Sequence, residues 1–395
     1  MARQIAAGID IGSYQIKVVV AEASSDNPKA GPRIIGSGSA ETKGLRHGYV
    51  INVEEAAKSV SSAVRQAEKT AGVRISKAYL AFGGIGLSAF ISVGSLITTR
   101  ADSEISENDV KRVVEISENE IPNSLSLNRT VLHTIPLQYK VDGKIVLGRP
   151  QGMKGAKLEV RTLFVTSLSH HLNDIISAVE KAGVEVEDVM AAPLAASLVT
   201  LSKTQKIAGC VLTNIGSETV SIVVFENDIP ISLEVFPIGS NDITNDIALG
   251  LKIPIDEAER VKLGASQNDK FSKKKLDEIV IARLSDIFEL VEAHLRKIGR
   301  NGLLPAGIII TGGGSGVATI EDMAKAALKL PSKRSDLKFE GNIKGIIKGS
   351  EWAVAYGLCV LGLTSAEDNL ITDLGLSGIK DTPSRLWRWV KKLLP

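Results

Sequence analysis

One pattern of strands and glycines occurs twice in this chain, about 200 residues apart, and a duplication on that scale admits few folds. The first copy predicts a strand over 4–11, a tight turn at Gly12 and Ser13, and strands over 15–22 and 33–39. A helix over 53–71 follows, then a strand over 77–82 that stops at Gly83 and Gly84. The second copy predicts a strand over 208–215, a turn at Gly216, Ser217 and Glu218, and strands over 219–225 and 231–237. A helix over 242–251 comes next and, after an insertion, a strand over 307–311 that stops at Gly312, Gly313 and Gly314. Two such α/β lobes would face each other across a cleft. With 395 residues, 44% of them apolar, the chain can fill two separate cores.

Each copy carries an insertion, roughly 85–161 in the first and 253–305 in the second. The first reads as a small α+β unit, with strands around 90–98 and 129–139. Its helix over 107–121 is announced by Ser106 as N-cap and Asp109 three residues on. The second insertion is mostly helical, over 255–263 and 273–298.

The last dozen residues are of another kind. As a helix, 383–394 places Leu386, Trp387, Trp389, Val390, Leu393 and Leu394 within about 160° of arc, with Arg385, Arg388, Lys391 and Lys392 opposite. Thr382 offers an N-cap oxygen and Pro383 suits the first helical position. A bilayer span takes roughly 20 apolar residues, so this segment predicts an interfacial helix that folds on an anionic membrane surface. The competing reading is a terminal helix docked on the protein's own core. Residues 366–382 read as a linker. The net charge of +2 implies no nucleic-acid partner. Cys210 and Cys359 lack partners at metal or disulfide spacing and read as buried thiols of a reducing cytoplasm.

In the cleft, glycines at a hairpin turn let backbone N–H groups approach phosphate oxygens. The first turn offers Asp10, Gly12, Ser13 and Tyr14, with Lys17 on the returning strand. Asp10 is placed to orient water around Mg²⁺. The second offers Asn214, Gly216, Ser217, Glu218 and Thr219. The third, Gly312, Gly313, Gly314 and Ser315, follows an apolar strand and suits a sugar or purine. Each alone is an ordinary turn; their shared order in a duplicated frame predicts a nucleotide.

That order resembles the superfamily of actin, sugar kinases and heat-shock chaperones. The run 130–155 (TVLHTIPLQYKVDGKIVLGRPQGMKG), with 183–189, 193–197, 241–251, 258–262 and the tail, resembles the FtsA family of bacterial cell-division proteins over nearly the whole chain. The resemblance implies a two-lobed actin-like fold. Residues 1–84, 163–193 and 350–363 would form subdomain 1A, and 85–162 the inserted α+β subdomain 1C. Residues 194–228 and 304–349 would form 2A, 229–303 would form 2B, and 383–395 the amphipathic membrane-targeting helix. It implies ATP with Mg²⁺ in the cleft, and Glu259 and Lys262 beside the nucleoside, although on an amphipathic helix such residues are more often members of a surface ion pair. It also implies a homopolymer through 1C, capture of the FtsZ C-terminal peptide on 2B, other divisome partners, and a peripheral place on the cytoplasmic face of the membrane at the division site.

Two departures bear on chemistry. The family's second phosphate loop reads Asp-Ile-Gly-Gly-Gly-Thr-Thr, whereas here Asn214 is neutral and Glu218 stands in place of a glycine. A carboxylate about 4 Å from a phosphate costs about 4 kcal/mol at an effective dielectric near 20, unless it points to solvent or Mg²⁺ intervenes. Near Pro193, where actin-like ATPases carry a Glu or Gln, this chain has Met190, Ala191 and Ala192, and no general base is visible. No catalytic residue is assigned, and hydrolysis is expected to be slow or absent. The alternatives are a PilM-like pilus-assembly adaptor, which lacks such a tail, and a small-molecule kinase, which needs a base. His47 and His133 lack carboxylate or cysteine neighbours at ligand spacing, and the adjacent His170 and His171, about 100° apart on a helix start, cannot share a metal and are expected to be solvated. Lys273 to Lys275 read as a solvated helix start.

Overall fold

The computed structural model describes residues 4–24, 31–98, 103–264, 272–337, 339 and 347–372, with side chains as far as residue 364. The amphipathic tail and residues 373–382 lie outside the described residues.

The duplication appears as two sheets of one topology. In the first lobe the strand order is Glu185–Ala191, Lys77–Phe82, Ile5–Ile11, Gln15–Glu22, Arg33–Glu41. In the second it is Ser332–Arg334, Ile308–Thr311, Cys210–Ile215, Val220–Glu226, Ile229–Phe236. Each is an antiparallel three-strand meander continued by two parallel strands. The central strands are buried apolar runs, as strands covered on both faces must be. The second lobe's first strand begins at Cys210 rather than 208. A short helix, Lys203–Ala208, with a Ser202–Gln205 capping box, occupies the preceding residues.

Helix Val53–Ala71 starts where the Asn52 side chain accepts from the N–H groups of Glu54 and Glu55, and stops at Gly72 in the left-handed region. Its alanine face lies on strand Arg33–Glu41 where that strand has no side chain. A Cβ at Gly38 would sit 2.0 Å from the Ala63 carbonyl oxygen. Gly38→Ala should therefore destabilise the protein by about 2–3 kcal/mol, read as a lowered urea midpoint.

The first insertion forms a separate four-stranded sheet, in the order Ser88–Ile97, Lys157–Leu168, Arg129–Val141, Lys144–Val146. Helix Glu107–Asn119 covers it, with the predicted Ser106–Asp109 capping box formed. Strand Lys157–Leu168 runs on past residue 162, so the expected 1C boundary falls inside a continuous strand.

The chain returns to the first lobe as helix Ala353–Thr372. At Gly8 and Gly357 an added Cβ would fall 2.2 and 2.0 Å from carbonyl oxygens of Ala355 and Ala195, so the helix packs on bare backbone. It continues through the start of the segment read as a linker, 366–372, because no glycine or proline stands there to stop it. Both cysteines are buried free thiols, and burial pushes each up to about 12.

Candidate functional site

The two hairpin turns are built alike. Gly12 N–H donates to the Gln15 carbonyl at 3.2 Å, and Gly216 N–H to the Thr219 carbonyl at 2.8 Å. Two residues before each glycine stand Asp10 and Asn214, and their cross-strand partners are Lys17 and Ser221. A charged pair in the first lobe is thus a neutral pair in the second. Burial raises the Asp10 pKa above the ordinary carboxyl value, and the charge of Lys17 draws it partly back. A partly buried carboxylate so incompletely compensated fits a nearby cation, with Asn214 supplying a neutral acceptor at most.

The third loop closes over the second turn. Gly312 has φ +92°, and a Cβ there would lie 2.4 Å from Asn214 Oδ1 and 2.5 Å from the Ile215 carbonyl oxygen, so only glycine fits. Ser315 Oγ donates to the Gly312 carbonyl at 2.7 Å. A Cβ at Gly314 would meet Ile215 and Ser240, while Gly313 has only Glu351 near it, at 3.9 Å. Helix Ser240–Leu251 starts on the same turn, with Ser240 and Asn241 N–H donating to the carbonyls of Gly216 and Ser217.

Lys262 is brought to this helix start. Its side chain is only 6% exposed, and Nζ reaches Glu259 at 2.7 Å, Thr244 Oγ1 at 2.8 Å and the Ser240 carbonyl at 3.2 Å. Glu259 in turn accepts from Thr244 Oγ1 at 2.6 Å. Lys262 therefore joins the third-loop wall through Ser240, while the Glu259 side chain beside it remains 42% exposed.

Sequence reasoning missed an element of the site. Short strands Leu45–Arg46 and Tyr49–Val50 form a hairpin whose tip, His47 and Gly48, has φ of +49° and +78°, as a two-residue hairpin turn favours. Gly48 N–H donates to Ser13 Oγ at 3.2 Å, in the first turn. His47 N–H donates to Glu218 Oε2 at 2.6 Å, in the second, and His47 Nδ1 lies 3.3 Å from the Glu218 carbonyl oxygen. The tip therefore ties both turns together. Glu218 points neither to solvent nor at a neighbouring anion, but across the cleft. Tyr14, at the matching position of the first turn, is 64% exposed. The dipeptide His-Gly between extended residues was the available signal.

The same hairpin touches the root of the insert. Tyr49 stacks on His171 with ring centroids 3.6 Å apart, so His171 is not part of a solvated pair; the His170 ring lies 3.8 Å from it. His133 is buried, and its Nε2 accepts the Ala191 N–H at 2.9 Å, fastening the insert to the lobe at the end of strand Glu185–Ala191. Ala191 and Ala192 are buried and offer no base. Lys273 to Lys275 are exposed at a helix start capped by Ser272.

A cleft of about 660 Å³ lies elsewhere, between the insert and strand Ile229–Phe236. Its polar groups are largely paired with one another, Arg300 with Glu226 and His294 with Ser232 and Glu234. Among the described residues no helix is long and apolar enough to cross a membrane.

Known proteins match this architecture. Residues 211–357 match the family described as "Cell division protein FtsA", and 89–166 match "SHS2 domain inserted in FTSA". Cell division protein FtsA of Pseudomonas aeruginosa is 29% identical over 97% of both chains. That of Bacillus subtilis is 31% identical over 81% of this chain and 76% of the relative. Among solved structures, the PilM-PilN type IV pilus biogenesis complex superposes with a TM-score of 0.65 at 18% identity, over 91% of this chain and 98% of that one. MreB5 of Spiroplasma citri bound to ADP gives 0.51 at 12% identity, over 95% and 99%. With its duplicated lobes and its inserted sheet, this chain has an actin-like fold and belongs to the FtsA family of cell-division proteins.

Proposed function

We propose that this protein is a cell-division scaffold that binds ATP with Mg²⁺ in the interlobe cleft, polymerises, and tethers FtsZ filaments to the cytoplasmic face of the membrane. The observation that carries the nucleotide part is the convergence of three glycine loops on one cleft, two of them joined by the His47–Gly48 tip. Asp10 would hold Mg²⁺ through water, and the metal would offset phosphate charge there. Gly12 and Gly216, whose own N–H groups close the turns, would let phosphates approach the backbone at Ser13 and Ser217. Gly312 to Ser315, with Lys262 and Glu259 behind them, would hold the nucleoside. Family membership supports self-assembly, the FtsZ tail on 229–303 and divisome partners, and the tail sequence supports the membrane. A fold neighbour, MreB5 of Spiroplasma citri, is bound to ADP, which agrees with the ligand class.

Hydrolysis is expected to be very slow, because Ala191 and Ala192 provide no group to activate water and Asn214 no charge. Phosphate release at saturating Mg-ATP should stay below a few turnovers per minute, and faster release would contradict this reading. The superposition on the PilM-PilN complex keeps a pilus-type adaptor as the second reading. Binding of an FtsZ C-terminal peptide, measured by fluorescence anisotropy, supports the scaffold; failure to bind it would favour the adaptor.

A further inference from the structure

We propose that the outer edge of strand Ser88–Ile97 is a two-fold contact through which two copies of this chain join their inserted sheets into one. The strand closes one side of the insert's sheet, and among the described residues no strand pairs with its free edge. Such an edge offers a row of unpaired N–H and C=O groups, and proteins protect these rows with charge, proline or shortness. The other edges of the three large sheets are protected in those ways. Strand Glu185–Ala191 carries three carboxylates, Arg33–Glu41 is charged at both ends, and Ile229–Phe236 holds Pro230 and Glu234. Lys144–Val146 and Ser332–Arg334 are three residues long. Ser88–Ile97 runs for ten residues, and its sequence, SAFISVGSLI, contains neither a charge nor a proline.

Helix Glu107–Asn119 covers one face of this strand so closely that a Cβ at Gly94 would sit 2.3 Å from the Val113 carbonyl oxygen. On the opposite face Val93 is 56% and Ile97 71% exposed. The second lobe reaches that face at its root, where Ile91, Leu163 and Leu137 of three adjacent strands line the cleft. It therefore lies on the sheet and leaves the edge beyond residue 91 open. The neighbouring charges choose the partner and the register. On the exposed face Val93 is paired with Arg161 of the next strand, and Ser95 with Glu159. Two copies paired antiparallel about Gly94, with both helices on one side, set Val93 of each opposite Ser95 of the other, and Ile91 opposite Ile97. Arg161 of one copy then shares a row with Glu159 of the other. Moving the centre by one residue either way puts Arg161 in a row with Arg161, or Glu159 with Glu159. A second copy thus fits this edge in one register. Unlike a head-to-tail filament contact, this one closes on two molecules, so it links them side by side and needs no nucleotide.

The test is disulfide trapping of the full chain without nucleotide or lipid, with Val93→Cys and Ser95→Cys as separate variants whose folding is checked by thermal melts. Cys210 and Cys359 are buried and should not react. Under mild oxidation an equimolar mixture of the two variants should give at least about fivefold more disulfide dimer than either alone, because directly opposite positions lie within disulfide reach and diagonal ones do not. A charge exchange reads the same register by sedimentation velocity. Val93→Glu with Ser95→Lys should keep the dimer's dissociation constant within about threefold of the wild type, whereas Val93→Glu with Ser95→Glu should raise it about tenfold or more. A wild type that stays monomeric, no enrichment in the mixture, or a doubly acidic variant that associates as tightly as the wild type would overturn the proposal. Neither measurement uses nucleotide or membrane, so its failure leaves the tethering function standing, and a failure of filament assembly leaves this contact standing.

Discussion

A chain stopped after Asp381 should lose its hold on anionic vesicles by about a thousandfold or more. Four cations each worth about 1 kcal/mol at an anionic surface already supply that factor, before the burial of Trp387 and Trp389 is counted. Co-sedimentation of the full and shortened chains reads it directly. The full chain should pellet with anionic vesicles, weakly with neutral ones, and less at high salt. Equal pelleting of both chains would remove the tail from the account.

Lowering the pH from 7 to 5 should cost about 2 kcal/mol through one side chain, His133. Burial depresses its pKa from 6.5 to about 3, and its Nε2 is held as an acceptor by the Ala191 N–H. The unfolded chain takes up a proton as the pH falls below 6.5, while the folded one cannot until about pH 3. Stability is therefore complete above the unfolded value and is lost as the pH falls through that window, to a limit of roughly 5 kcal/mol. His133→Gln keeps an acceptor for Ala191 and has no proton to gain. Urea midpoints measured from pH 7 to pH 4 should fall more steeply for the wild type than for this variant. Parallel curves would show that His133 is not buried as a neutral ring.

Elements with strong local signals were legible to the residue. Helix Val53–Ala71 is bounded by an Asn cap and a left-handed glycine, and strand Lys77–Phe82 by the glycines after it. The duplication could be read because both copies keep a Gly turn in the same register. What escaped depends on partners distant in sequence. The strands of the hairpin at 45–50 are two residues long, too short for periodicity to register, yet its tip joins the two glycine turns of the lobes. Glu259 and Lys262 follow the spacing of a surface ion pair, and only the packing of the helix carrying them against Ser240–Leu251 buries Lys262. The charge of Glu218 was visible in the sequence. Its direction was not, since one rotamer choice separates solvent from His47.

The most direct test of the scaffold account is electron microscopy of the full chain on anionic lipid monolayers, with Mg-ADP, with Mg-ATP and without nucleotide. The account predicts filaments lying on the lipid, promoted by nucleotide and absent when the chain stops at Asp381. A protein that stays unassembled on lipid under all three conditions would contradict it.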